Sequence, residues 1–173
     1  MKENQKDYIC THFDDNDSIE YENYRTFGNS RKQTLEIILL GEENVGNTQI
    51  INQLVSNKFD QHYSRTFSPK ERITTIKIKE EGIIESIDLK IYDFPGTNGF
   101  NTINKSFLRT AKIILLVYDM TNIESFIQLF DWNELLLEKK DILKFVIANK
   151  LDLIEERQIS EENGQKFAEK IGA

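Results

Sequence analysis

The chain has one cysteine, Cys10, and two histidines, His12 and His62, in 173 residues. A single thiol closes no internal disulfide and builds no cysteine-based zinc site. Two histidines are too few for a histidine metal cluster. Positive charge is also short: 22 Lys and Arg stand against 29 Asp and Glu, a formal net charge of −7. A global polyanion does not suit non-specific binding of nucleic acid, so no nucleic-acid partner is expected. No apolar run approaches the roughly 20 residues that span a bilayer. The start, Met-Lys-Glu-Asn-Gln-Lys, lacks a signal-peptide core and a myristoylation glycine, and the end, Lys170-Ile171-Gly172-Ala173, holds no prenylation cysteine. These absences lead to the expectation of a soluble, cytoplasmic protein with no lipid anchor visible in the chain.

What remains is a globular composition, 39% hydrophobic and 29% charged, long enough for one domain with a real core. The first 34 residues differ from the rest. Residues 1–24 carry two basic and seven acidic side chains and no apolar period, whereas Arg25, Arg31 and Lys32 make the next stretch basic. Residues 1–34 therefore read as an acidic N-terminal extension, flexible or partner-bound. Tyr8, Phe13, Tyr21, Tyr24 and Phe27 within it are either chance or anchors for a partner.

From Leu35 the pattern changes. Leu35-Glu36-Ile37-Ile38-Leu39-Leu40 predicts a strand buried on both faces, and residues 48–55 a helix with Ile50, Ile51, Leu54 and Val55 on one side. Residues 73–79 and 83–92 read as a hairpin around Glu80-Glu81-Gly82. Residues 112–118 and 145–148 are further buried strands. Residues 123–139 read as a helix with Trp132 in its apolar stripe, and Ser160 caps a last helix running to about Ile171. Buried strands alternating with helices predict an α/β fold: a mainly parallel sheet, helices on both faces, ligands outside the carboxyl ends of the strands.

Three of those strand ends carry motifs. The first carries Gly41-Glu42-Glu43-Asn44-Val45-Gly46-Asn47-Thr48, a phosphate-loop pattern G-x-x-x-x-G-K-[S/T] whose lysine is replaced by Asn47. The third carries Asp93-Phe94-Pro95-Gly96, a D-x-x-G pattern. The fifth carries Asn149-Lys150-Leu151-Asp152, an N-K-x-D pattern, whose aspartate can accept both guanine N1–H and N2–H₂. Each alone is a common turn. Together, in this order and at predicted strand ends, they are specific.

Residues 35–173 resemble a small GTPase of the Ras superfamily, with the Rab branch the best fit. Phe59-x3-Tyr63-x2-Thr66, Gly99-Phe100-x-Thr102-Ile103 and Val117-Tyr118-Asp119-x-Thr121-x3-Ser125-Phe126 support the resemblance. It implies a P-loop NTPase fold, the Ras-like G domain, binding GTP or GDP with Mg²⁺. Thr48, Thr66 and Asp93 would hold the metal. Gly41, Glu43, Asn44, Val45, Gly46, Asn47, Thr48 and Gly96 would surround the phosphates. Phe59, Asn149, Lys150 and Asp152 would hold guanine. Two switches, about 59–69 and 94–104, would order around the γ-phosphate.

The departures from that pattern act in one direction. Asn47 removes a cation from the β- and γ-phosphates, a loss of roughly 1.5–3 kcal/mol. Glu43 puts a carboxylate where the family has a small residue, and Glu42 adds a second acid. Thr97 stands in place of the glutamine that orients the attacking water and is too short to do so, which leaves no catalytic residue. Pro95 stiffens D-x-x-G. Two readings follow: a pseudo-GTPase serving as a protein-binding part of a larger trafficking, ciliary or cytoskeletal assembly, or a divergent but working GTP/GDP switch. The resemblance also implies a C-terminally incomplete G domain, lacking the last strand and helix. Their absence would leave an apolar face and a strand edge open.

Overall fold

A computed structural model describes residues 33–62, 64–80, 83–96, 105–139 and 141–173. The extension up to residue 32 with its five aromatics, Tyr63, the Glu81-Gly82 turn, Thr97 and the 99–103 stretch lie outside the described residues.

The chain orders its elements as β1 (Gln33–Leu40), α1 (Asn47–Ser56), β2 (Lys70–Glu80), β3 (Ile83–Asp93), α2 (Lys105–Thr110), β4 (Ile113–Asp119), α3 (Ile123–Glu134), β5 (Leu143–Asn149), a 3₁₀ turn (Ile154–Glu156) and α4 (Glu161–Ile171). The sheet runs β2-β3-β1-β4-β5. Only β2 and β3 pair antiparallel, Lys70 opposite Asp93 through Glu80 opposite Ile83, as the hairpin reading expects. The β3–β1, β1–β4 and β4–β5 pairs are parallel. The predicted α/β sheet is therefore the observed one.

Burial on both faces follows from the strand period of two. Ile37 and Leu39 of β1 join Val45, Ile51, Leu89, Ile91 and Val117 on the α1 side. Ile38 and Leu40 point the other way and join Ile114, Leu116, Tyr118, Leu129, Trp132 and Phe167. The second cluster is the larger because α3 and α4 both pack there. Trp132 is fully buried, as its place in the helix stripe predicts. Lys144 ties the layer together, donating to Asn133 at 3.3 Å and to the Ile171 carbonyl at the end of α4.

Three expectations need correction. β1 begins at Gln33, two residues before the apolar run, because the ladder to β3 continues through Gln33 opposite Ile87; main-chain pairing does not require an apolar side chain. The helix expected over 123–139 ends at Glu134. Beyond it, Leu136 N–H donates to Asn133 and Leu137 N–H to Glu134, tight i→i+3 bonds that turn Leu136 into the core and Leu137 out to 68% exposure. Leu54 of α1 faces solvent, while Ile51 is buried.

Helix ends follow local chemistry. Asn122 accepts from Glu124 N–H at 3.0 Å and Ser160 from Asn163 N–H at 3.2 Å, both as N-caps. The second bears out the predicted start of α4. A further correction falls at β5, expected to be buried: none of its residues is fully buried, and Leu143 and Phe145 are well exposed because β5 is the edge strand and the α1 side of the sheet is less covered there. Among the described residues, no helix is long and apolar enough to cross a membrane.

Candidate functional site

A cavity of about 310 Å³ opens at the carboxyl ends of β1, β3 and β5. The first motif enters it as a strand-to-helix loop. Asn44 takes a left-handed φ of 66°, and Gly46 a φ of 100° at the N-cap of α1. A side chain at Gly46 would also sit 2.3 Å from Asn149 Nδ2, so only glycine fits. Asn149 donates from Nδ2 to the Val45 carbonyl at 2.7 Å, which joins the first and third motifs directly. Gly96 is pressed against the same loop: a Cβ there would lie 2.2 Å from Glu43 N and 2.4 Å from Glu42 C.

Of the residues named from sequence, Glu43, Asn44, Gly46, Asn47, Thr48 and Gly96 line the cavity. Phe59, Thr66, Asp93, Asn149, Lys150 and Asp152 line it as well. Gly41 and Val45 are buried behind the loop and shape it from within. Thr97 lies outside the described residues. Phe59 stays 69% exposed, and its loop is tied to α1 where Asp60 N–H donates to Gln49 Oε1 at 2.9 Å. His62 is exposed as well.

At the phosphate end, three oxygens converge. Thr48 Oγ1 donates to Asp93 Oδ2 at 2.6 Å and lies 3.1 Å from Thr66 Oγ1. Burial is the main influence on the Asp93 carboxyl and pushes it up, against the pull of the Thr48 hydrogen bond. Its Oδ1 is buried without a hydrogen-bond partner. A hard cation accepts such a donor set, so Thr48, Thr66 and Asp93 fit a nucleotide-borne Mg²⁺. Among the described residues, no group of three His, Cys, Asp or Glu could hold a metal alone. Asn47 fits phosphate less well. It is buried, and its Oδ1, an acceptor, also has no partner.

Charge in the cavity wall is lopsided. Five carboxylates line it (Glu42, Glu43, Asp60, Asp93 and Asp152) against two basic side chains, Arg65 and Lys150. Both bases are engaged. Arg65 Nε lies 3.3 Å from Glu43 Oε1, and Lys150 Nζ lies 2.6 Å from Asp119 Oδ2. Burial pushes the Glu42 carboxyl up, reinforced by the neighbouring Glu43 charge. Burial also raises the Asp119 carboxyl, but hydrogen bonds from Lys150 and Thr121 outweigh it and hold the group low.

Sequence reasoning missed Arg65 and Asp119 as site residues. Asp119 had a signal: as Asp-x-Thr at a strand end it forms a turn in which its Oδ1 accepts from the Thr121 N–H at 2.9 Å and the Thr121 hydroxyl at 2.7 Å. Arg65 had none, because its partner lies in a different loop.

A β-α-β sheet of this order, with glycine-loop, D-x-x-G and N-K-x-D segments at its carboxyl edge, defines a Ras-like G domain. A family model described as Ras family matches residues 36–173, and the chain belongs to that family. Its relatives include Rab proteins. It is 30% identical to the Ras-related protein RabC of Dictyostelium discoideum over 138 residues, 79% of this chain and 69% of that protein. It is 33% identical to Rab-10 of Caenorhabditis elegans, covering 79% and 67%, and 32% identical to Rab-12 of Mus musculus, covering 79% and 56%. Proteins of this family bind GTP or GDP with Mg²⁺ and act through protein effectors.

Proposed function

We propose that this Rab-like protein is a pseudo-GTPase: it holds guanine nucleotides weakly, hydrolyses GTP slowly or not at all, and serves as a protein-binding part of a larger assembly, trafficking, ciliary or cytoskeletal. One observation carries the reading. Asn47 stands where the phosphate-loop pattern has lysine, and the two bases lining the cavity are already paired with Glu43 and Asp119. Among the described residues that line the cavity, an incoming triphosphate therefore meets no cation that is not already shared, and the only other positive charge acting on Asp93 among the described residues comes from Lys70 and Arg72. Thr97 at the water-positioning place removes the reach needed for hydrolysis. Apolar side chains left outside, Phe67 at 83% exposure and Phe145 at 50%, suit protein contact.

The alternative, a divergent working switch, draws support from the convergent Thr48, Thr66 and Asp93 oxygens and the Asn149–Val45 bond. Denaturing the purified protein and chromatographing the released nucleotide separates the two. Near-stoichiometric GDP or GTP favours the switch; an empty or sparsely loaded protein favours the pseudo-GTPase. The double change Asn47→Lys with Glu43→Gly restores one cation and releases Arg65, so GTP affinity rises at least tenfold, about 1.4 kcal/mol. An unchanged affinity would mean that charge is not what weakens the site.

A further inference from the structure

Helix α3 turns a row of apolar side chains to solvent. Ile123, Ile127 and Phe130 are 48%, 47% and 41% exposed. Their spacing, four residues and then three, puts them on one face of the helix over two turns, which is the spacing of a two-helix seam. Single apolar side chains scattered over a surface are ordinary, but three on successive turns form a patch. None of the three lines the cavity. The row also has flanks of opposite sign. On one side α4 runs beside α3: Phe130 lies edge-on to Phe167 at 4.7 Å, and Lys170 Nζ stands 5.3 Å from the centre of the Phe130 ring. Lys166 sits one turn before Lys170 and pairs with Glu162 at 2.6 Å, an exposed pair of the kind that exchanges readily. On the other side are the exposed Glu124 and Asp131, seven residues apart and so on one flank. The charge of Asp131 reaches the Glu42 carboxyl of the phosphate loop, which fixes that flank as the one away from α4.

We propose that this face joins two copies of the chain, α3 against α3, about a twofold axis that runs along the helix. The flanks choose both the occupant and the axis. A partner of one charge would satisfy one flank and oppose the other, whereas a second copy satisfies both. An axis lying in the interface along α3 keeps the two helices parallel and sets the acidic flank of each copy over the basic flank of the other, with Asp131 facing Lys170 of the second copy. An axis across the helix would set acid against acid and base against base. The contact is isologous, so each of these pairs forms twice. Glu134 takes the next place in the row after Phe130, and it ends the seam, because the axis brings its carboxylate against the same carboxylate of the second copy. A patch anchored by three side chains holds a transient dimer and not an obligate one.

Sedimentation velocity of the full chain over a hundredfold range of concentration is the test. The chain should show a monomer–dimer equilibrium that Ile127→Asp weakens at least tenfold. Glu134→Leu should strengthen it at least threefold, by removing a like-charge contact from the seam. Charge reversal distinguishes this face from any other. Asp131→Lys alone and Lys170→Glu alone should each weaken self-association at least threefold, because each sets like charges together twice. An equimolar mixture of those two variants should recover the dimer as a one-to-one heterodimer, because both contacts then regain opposite signs. All four positions are exposed, so the substitutions leave the core as it is. A chain that stays monomeric at the highest concentration, a dimer that tolerates Ile127→Asp, or a mixture that associates no better than its separate variants would each overturn the proposal.

Discussion

Lys150 is the residue whose replacement tests the site's construction most directly. Its ammonium lies 2.6 Å from Asp119 Oδ2, with side-chain exposures of 24% and 8%. Replacing it by alanine leaves a nearly buried carboxylate without its counter-charge. Breaking a fully buried pair costs roughly 3–5 kcal/mol. That is an upper bound, because water reaches the lysine and Thr121 still donates twice to the Asp119 Oδ1. A hydrogen bond to a charged group contributes about 1.5–3 kcal/mol, so about 2 kcal/mol is expected, a fall in Tm of about 4–8 °C for a domain of this size. The pH dependence identifies the cause. The Asp119 carboxyl is held below its usual 3.8 in the folded state. The pair's contribution is therefore fully present above 3.8 and lost as the pH falls through the lowered folded value. Wild type and Lys150→Ala should differ by a constant amount near neutrality and converge in acid. Lys150 also takes a left-handed φ of 63°, so Lys150→Gly should be less damaging than Lys150→Ala by about 1 kcal/mol. Urea denaturation of the three proteins across pH measures all of this. A difference under about 0.5 kcal/mol, or one that persists unchanged in acid, would refute the reasoning.

Two further predictions concern close packing. A Cβ at Gly164 of α4 would lie 2.6 Å from the Tyr118 hydroxyl, so Gly164→Ala should destabilise by about 1–3 kcal/mol despite its better helix propensity. In a Tyr118→Phe background the nearest remaining atom is a ring carbon at 3.7 Å, and the same change should become neutral or stabilising by up to about 1 kcal/mol in a double-mutant cycle. Gly96→Ala would meet the backbone of Glu42 and Glu43, which cannot rotate away. It should cost about 3 kcal/mol in chemical denaturation and weaken GDP and GTP binding together. Intact stability would mean that the loop yields more readily than its geometry implies.

Much of this architecture is legible in the chain because it depends on short-range periodicity. The apolar run of β1 alternates strictly between the two cores, Ile37 and Leu39 one way, Ile38 and Leu40 the other, and any such run must do so when both faces are covered. The Ser160 cap and the glycines of the loop are local requirements too. Periodicity fails where tertiary contacts choose among equivalent positions. Leu135-Leu136-Leu137 offers three apolar candidates, and the tightened turn buries only Leu136. Phe130 shares the helix stripe yet stays partly exposed, its ring edge-on to Phe167 at 4.7 Å.

The sequence by itself determined the order of strands and helices, the three motifs at strand ends, and the replacement of a phosphate-loop lysine by Asn47. Those are properties of residue type and spacing. Only the tertiary structure decided where charge is spent. Glu43, expected simply to repel phosphate, also draws Arg65 to itself, and Lys150 answers to Asp119 before any base arrives. Such pairings join separate loops, and Coulomb energy depends on distance in space, which spacing along the chain does not record.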